Sequence, residues 1–537
     1  MSKQSRVIFQ KDWMKFHPYR KSSSSDFYYL DLCNKVYNIL EVAETHFSYF
    51  EFYDDEKRQL AIYLTCYFED IISGTKIWQT FTNLHFELYG KYLPFYNPDE
   101  YYPDEINQED IAFLSWHFFN MMQDDSEFFN PYEIDFQLIA RSVYELFDAI
   151  YETAPENDLL KEYLAIPDEE NDYYQTRYII DWLFMNSYLF HFHENEMNQK
   201  IDQEYKEMIE KNGKVDSEYF MAIINDTRDR MVNNRRSHLL ALRGNEWMAN
   251  LLGKDHRLYK HLLERSDRKT GFFLYKGETR EYVIIEHIAS GKSIHLTKKS
   301  FNSRSEFKIN KSIFLLSIVL WQNEWWFTGV FSLIENQPKL LQDEKNSTES
   351  KSLFQDDIEK MKVEIERQYQ VFLEFNNQSP IAFFNDKEGL NDFLNGYFDL
   401  FNKKRAEEKK LKRNPENDAE INKAKENRKV HKGLYEAKSV VFFDRRSGIE
   451  MLYGYNDLIP DERNPFFEEI DTDGLYDLFK EPGCSAQFVK YLVETYPEIR
   501  QSLMNSEEYE YLITDLDFIL RYFKNENYFI NPRITMV

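Results

Sequence analysis

From Asp26 onward apolar side chains recur at intervals of three and four, so that Tyr29, Leu30, Leu32, Cys33, Val36, Tyr37 and Leu40 would line a helix capped by Ser25 or Asp26. The same period predicts helices over 56–72, 107–122, 134–152, 172–190, 204–211 and 217–233. A Pro- and Asn-rich loop at 93–105 separates the second from the third.

The pattern changes between Gly271 and Leu333. Short runs of β-branched and aromatic residues between turn signals predict strands over 272–275, 281–288, 293–298, 313–321 and 325–333, enough for a small barrel or curled sheet. A loop of two or four residues centred on Ser290-Gly291 sets Ile288 opposite Ser293 and Glu286 opposite His295; a three-residue loop would pair His287 with His295 instead. On the last strand Trp325, Phe327, Phe331 and Leu333 share one face, and Trp326, Thr328 and Val330 the other. Trp326 must pack on a neighbouring domain or lie open to a ligand, and packing is the commoner fate of a large aromatic.

The polar stretch 337–353 reads as a linker, and 354–375 as a strongly periodic helix. Two similar pieces follow, SPIAFFNDKEGLNDFL at 379–394 and KSVVFFDRRSGIEMLY at 438–453, aligning Phe383, Phe384 and Gly389 with Phe442, Phe443 and Gly448. Each reads as strand, polar turn and helix, with the two strands in one shared sheet. Between them lies a charged insert, 403–432, in which Pro415 argues against one continuous helix. Helices near 485–496 and 507–523 close the chain. The expected class is α+β: a large mainly helical domain at 1–265, a small five-stranded barrel-like module at 266–336, the linker, and a mixed α/β domain at 354–537 that carries the insert.

Composition narrows the partners. The 66 basic and 93 acidic residues leave a formal charge of −27, which repels phosphate backbones and anionic lipid alike. A nucleic-acid role would have to use the basic segments 233–260 or 403–432, and another protein is the expected partner. Hydrophobic residues at 42% indicate a globular chain despite 30% charge. Cys33, Cys66 and Cys484 match neither a zinc spacing nor a disulfide framework, which suits a reducing cytoplasm. The first residues lack the apolar core of a signal peptide, and no window approaches ~20 apolar residues, so a soluble, cytoplasmic protein without a membrane span is expected. The abundance of Tyr, Phe, Asn, Lys and Ile suggests an AT-rich bacterial genome.

Chemistry-bearing residues are weakly patterned. His191 and His193 with Glu194 and Glu196 make two H-x-x-E pairs and are weak metal candidates, but a diiron centre needs the reverse order and a second copy, and a solvated helix end is the plainer reading. The weak catalytic candidates are Glu286 with His287 or His295, and the turn of Asp444, Arg445 and Arg446. Ligands gather outside the carboxyl ends of strands in open α/β sheets, which would bring that turn together with Asn385 and Asp386, although helix caps or turns explain the same residues. Gly291-Lys292-Ser293 is no phosphate loop, since Glu286 stands where its first glycine belongs, and the stretch around Gly474 is no calcium loop, since Lys480 replaces its last ligand. No cofactor is implied.

The segments KDWMKFHPY, RGNEWMANLL, EHIASGK, WQNEWWFTG and IPDERNPFFE together resemble an uncharacterised family of Bacteroidota proteins known as a domain of unknown function. That resemblance implies no activity, substrate or catalytic residue. The leading reading is an interaction or scaffold protein; the alternatives are a metal-assisted hydrolase using Glu286 with a neighbouring histidine or the Asp444 turn, and a nucleic-acid-associated protein. Enzymatic activity and oligomeric state stay open.

Overall fold

The computed structural model describes residues 7–47, 52–122, 128–213, 215–302, 304–334, 337–354, 358–409 and 438–529. The class is α+β, and the chain divides into two compact units, 1–354 and 355–537.

In the first unit the helices are α1 (Gln10–Trp13), α2 (Ser24–Glu44), α3 (Asp54–Ser73), α4 (Ile77–Tyr89), α5 (Gln108–Met122), α6 (Ile134–Asp148), α7 (Asp158–Leu164), α8 (Tyr173–Met185), α9 (Phe192–Asn212), α10 (Ser217–Asn234), α11 (Gly244–Leu252) and α12 (Tyr259–Glu264). The start of α2 is a capping box: Ser23 accepts from the Asp26 amide while Asp26 accepts from the Ser23 amide. Asp26 is therefore the third residue of the helix and Ser23 the cap. Helix α4, which the apolar period alone does not predict, starts where Asp70 accepts from the backbone N–H groups of Ile77 (3.0 Å) and Trp78 (2.7 Å).

Strands β1 (Lys269–Glu278), β2 (Tyr282–His287), β3 (Ser293–Thr297), β4 (Ile313–Trp321) and β5 (Glu324–Ile334) close a barrel in the order β1-β2-β3-β5-β4. Phe273, Val283, Ile285, Leu296, Phe314 and Leu316 fill it. The β2–β3 register differs by two residues from the sequence expectation: Glu286 lies opposite Ser293, and Ile284 opposite His295. The loop spans 288–291, closed by Gly291 N–H donating to the His287 carbonyl (2.8 Å), and Gly291 takes its left-handed φ of 70° at the end of the loop. Polar stretch 337–353 carries two short helices, α13 (Pro338–Asn346) and α14 (Thr348–Ser352), and Phe354 then packs into the barrel cluster.

The barrel is joined to the helices through buried charge. Asp229 of α10 meets Arg177 of α8 at 2.8 Å and Arg268 at 2.6 Å, and accepts from the Thr328 hydroxyl of β5. Trp326 is 1% exposed and packs against Tyr173 and Tyr174 of α8, so the outward aromatic of β5 is a packing residue. Next to Thr328 the β4–β5 ladder is interrupted by a bulge at Gly329, whose φ is 70°. A Cβ there would stand 2.7 Å from Asp229 Oδ2.

In the second unit β6 (Ile381–Phe384), β7 (Ser439–Asp444) and β8 (Gly448–Tyr453) form one sheet in that order, so the two Phe-Phe strands do share a sheet. They run antiparallel, with Ile381 opposite Phe442 and Phe384 opposite Ser439, and the second piece continues into β8 instead of a helix. One face of β7 packs through Val441 and Phe443 on α15 (Ile358–Phe375) and α16 (Lys387–Lys409); the other packs through Phe442 on Phe488 and Tyr491, past the short helix α17 (Thr472–Lys480), in α18 (Ala486–Thr495). The first residues of the charged insert extend α16 to Lys409; its remainder, 410–432, lies outside the described residues. Asp471, three residues before Gly474, caps α17 by accepting from the Asp473 amide.

Removing the Asp229 carboxylate leaves Arg268 and Arg177 with only their second carboxylate partners, Asp226 and Asp181, and takes away the one acceptor they share. Asp229→Ala is expected to cost about 3–5 kcal/mol, and Gly329→Ala more than ~1 kcal/mol, in urea denaturation followed by circular dichroism; two unchanged midpoints would show that the joint contributes nothing to stability.

Candidate functional site

The residues singled out from the sequence are scattered. Glu286 faces Lys276 at 3.5 Å and His295 lies beside the Tyr282 ring, so the expected carboxylate–imidazole pair does not form. His287 is buried against Phe273 and Phe354, with its Nδ1 2.8 Å from the Ser290 hydroxyl. Burial lowers its pKa to about 4.

Asp444 closes the β7–β8 turn, accepting from the Arg446 amide (2.9 Å) and the Ser447 hydroxyl (2.7 Å). Arg445 makes a two-pronged bond to Glu366 and lies over the Tyr369 ring, while Arg446 donates to the Tyr528 carbonyl. Because β6 and β7 are antiparallel, Asn385 and Asp386 follow the end of the sheet where Ser439 sits, and Asp444 leaves from the other. The pooled site at their carboxyl ends is therefore corrected: only parallel strands would gather those residues.

His191 and His193 are also corrected. They are buried, not a solvated helix end: His191 Nδ1 is 2.7 Å from the Tyr188 carbonyl and His193 Nδ1 2.8 Å from the Phe184 carbonyl. Burial pushes His191 down to about 4; burial, helped by Arg235, pushes His193 down to about 3. Their helical neighbour Glu196 is engaged by Arg235 and Lys200. The basic segment 233–260 is likewise spent on partners, with Arg236 and Arg243 on Glu246 and Lys254 on Glu87.

Two arrangements emerge that the sequence did not mark. The first is a buried polar cluster. His17 Nε2 is 2.8 Å from Glu69 Oε2 and 3.9 Å from Asp26 Oδ1. Trp13 Nε1 and the Tyr19 hydroxyl each donate to Asp26 Oδ1 (3.0 Å), and Asn157 Nδ2 donates to Glu69 Oε1 (2.8 Å). Burial works against a charge on His17, yet Glu69 and Asp26 outweigh it and raise its pKa. Trp13, His17 and Tyr19 all come from KDWMKFHPY, the only sequence signal for this cluster; Glu69 and Asn157 lie far along the chain.

The second is the hairpin of α9 and α10. Tyr205 (42% exposed), Ile209 (41%), Tyr219 (61%) and Met221 (54%) stand out of it, and a groove of about 490 Å³ runs between the helices, lined by Tyr205, Ile209, Phe220 and Met221. Glu204, Glu210 and Glu218 are exposed on the same two helices, as are Lys206 and Lys211.

These features define an α+β protein whose first unit is held together by buried ionisable groups and carries an acidic hairpin with exposed apolar side chains. Residues 7–269 of the chain match the model of the family described as "Protein of unknown function (DUF3843)". No curated protein and no solved structure matches the chain. KDWMKFHPY and RGNEWMANLL fall inside the matched segment; EHIASGK, WQNEWWFTG and IPDERNPFFE lie beyond it.

The buried histidines give stability a pH dependence. The His191 pKa of about 4 lies below the unfolded ~6.5, so the unfolded chain binds its proton first and stability is lost as pH falls from about 6.5 toward 4. His17, and Asp110 at about 7, are raised on folding and act in the opposite sense. Comparing wild type with His191→Phe cancels them: the variant should gain on the order of 2 kcal/mol relative to wild type between about pH 7 and pH 5. Thermal melts across that range check it, and parallel curves would contradict a buried neutral His191.

Proposed function

We propose that this protein works by binding another protein, and that the α9–α10 hairpin is the element that docks. The observation that carries the reading is the open groove lined by Tyr205, Ile209, Phe220 and Met221, with Tyr219 exposed on the same helix as the last two. Isolated exposed apolar residues are ordinary, but a contiguous set rimmed by polar groups is typical of a docking surface. The net acidic charge of α9 and α10 and the formal charge of −27 select the occupant: an amphipathic segment of a partner protein, with apolar positions flanked by lysine or arginine. A second copy of this acidic chain would be repelled. The buried thiols of Cys33, Cys66 and Cys484 support a reducing, cytoplasmic setting, and no described helix is long and apolar enough to cross a membrane.

A photo-crosslinking residue at position 205 in cells should give one discrete adduct with a different protein. Tyr219→Ser with Met221→Ser should abolish it without moving the thermal midpoint, because both side chains are exposed. No adduct, an equal yield from a crosslinker at the exposed Tyr178 position, or an adduct of twice the chain mass would overturn the reading.

A further inference from the structure

We propose that His17 Nε2, Asp26 Oδ1 and Glu69 Oε2 form a binding site for a divalent first-row transition-metal ion, with a water in the adjoining cavity as a further ligand.

Three separate pieces of chain deliver the donors: the turn after α1, the first turn of α2, and the last turns of α3. The three atoms lie within 4.8 Å of one another. Metal bonds of about 2.0–2.2 Å place neighbouring ligand atoms roughly 3–3.5 Å apart. The observed separations of 2.8 Å and 3.9 Å bracket that spacing, and an ion on Asp26 Oδ1 would share that oxygen with the donors Trp13 and Tyr19.

The surroundings hold each donor as metal sites hold theirs. His17 Nδ1 is 3.1 Å from the Trp13 carbonyl, an arrangement that turns Nε2 toward the carboxyl groups. Glu69 Oε1 is held by Asn157, and Asp26 Oδ2 by the Ser23 amide at 2.6 Å. One imidazole and two carboxyl groups form a mixed nitrogen and oxygen set suited to Zn²⁺, Mn²⁺, Fe²⁺ or Co²⁺.

Charge points the same way. Among the described residues His17 is the sole ion-pair partner of both Asp26 and Glu69, and all three side chains are 1% exposed. Two carboxylates with one neutral imidazole would bury two negative charges, which a divalent ion balances.

A second, independent feature adjoins the cluster. His17, Glu69, Asp70, Cys66, Trp182 and Tyr188 wall a small cavity with room for about one water. Trp182 is 7% exposed, and its indole N–H has no acceptor among the described residues. A metal-bound water in that cavity would give this N–H an acceptor and complete the coordination.

The test uses the full-length protein, stripped with a chelator and titrated with CoCl₂, whose absorption and X-ray absorption spectra report coordination directly. Expected are one equivalent of Co²⁺ per chain, a nitrogen and oxygen shell with a single imidazole and no sulfur, displacement by Zn²⁺, and a higher thermal midpoint with metal. Glu69→Gln should weaken binding at least tenfold; should that variant fail to fold, the wild-type spectrum decides alone. Absence of stoichiometric uptake, a shell with two or more imidazoles or with sulfur, or unchanged affinity in a folded Glu69→Gln protein would overturn the proposal.

Discussion

Asp229 binds the first unit together. Its carboxylate is 1% exposed and sits between Arg177 and Arg268, so the energy of the site depends on all three being present at once. Burying the pair is worth little by itself, but breaking it is expensive, and that asymmetry makes the joint a specificity device. Wrong packings of barrel on helices would strand at least one charge. The backbone of β5 must then come close enough for Thr328 to donate to the carboxylate, which only a residue without a Cβ at 329 permits. The family match ends at Lys269's neighbourhood, at the first residue of β1, whereas the compact unit continues to Phe354. Arg177, Asp229 and Arg268 lie inside the matched segment, and Thr328 and Trp326, which cover them, lie outside it. The segment and the barrel thus form one compact unit, joined at Asp229 and Trp326.

Buried carboxyl groups recur as organisers elsewhere in that unit. Asp70 begins α4, and Asp110 gathers the hydroxyls of Tyr67 and Tyr101 at 2.7 and 2.8 Å. Burial pushes Asp110 up to about 7, against those hydrogen bonds. With 17% aromatic residues the helices can be packed by large rings, but rings alone specify register poorly. Directional acceptors placed among tyrosines supply what the rings lack.

Local rules were legible in the sequence; long-range ones were not. All five barrel strands could be read because alternation and turn residues are local signals, and Trp326 could be assigned to packing. The β2–β3 register slipped by two because Gly291 ends its loop instead of centring it, drawn there by the contact of Ser290 with His287. The shared sheet of β6 and β7 was readable from the paired phenylalanines, but strand direction depends on what lies between them, and the resemblance of the two pieces suggested parallel units that do not exist. His191 and His193 look like a polar helix end in sequence because their glutamates are exposed or paired while the rings turn inward. The cluster around His17 was out of reach: Glu69 and Asn157 are 52 and 140 residues further on, and no spacing rule links them.

The placement of the indoles has an experimental consequence. Trp13, Trp78, Trp116, Trp182, Trp247, Trp321, Trp325 and Trp326 all fall within the first unit, and most are deeply buried there. The second unit contributes tyrosine and phenylalanine alone. Emission excited at the red edge therefore belongs entirely to residues 1–354, while backbone dichroism samples both units. Recording the two signals from one cuvette separates the unfolding of each without cutting the chain, and a variant that keeps Trp326 as its sole indole would register whether the barrel comes away from α8 before the helices themselves melt.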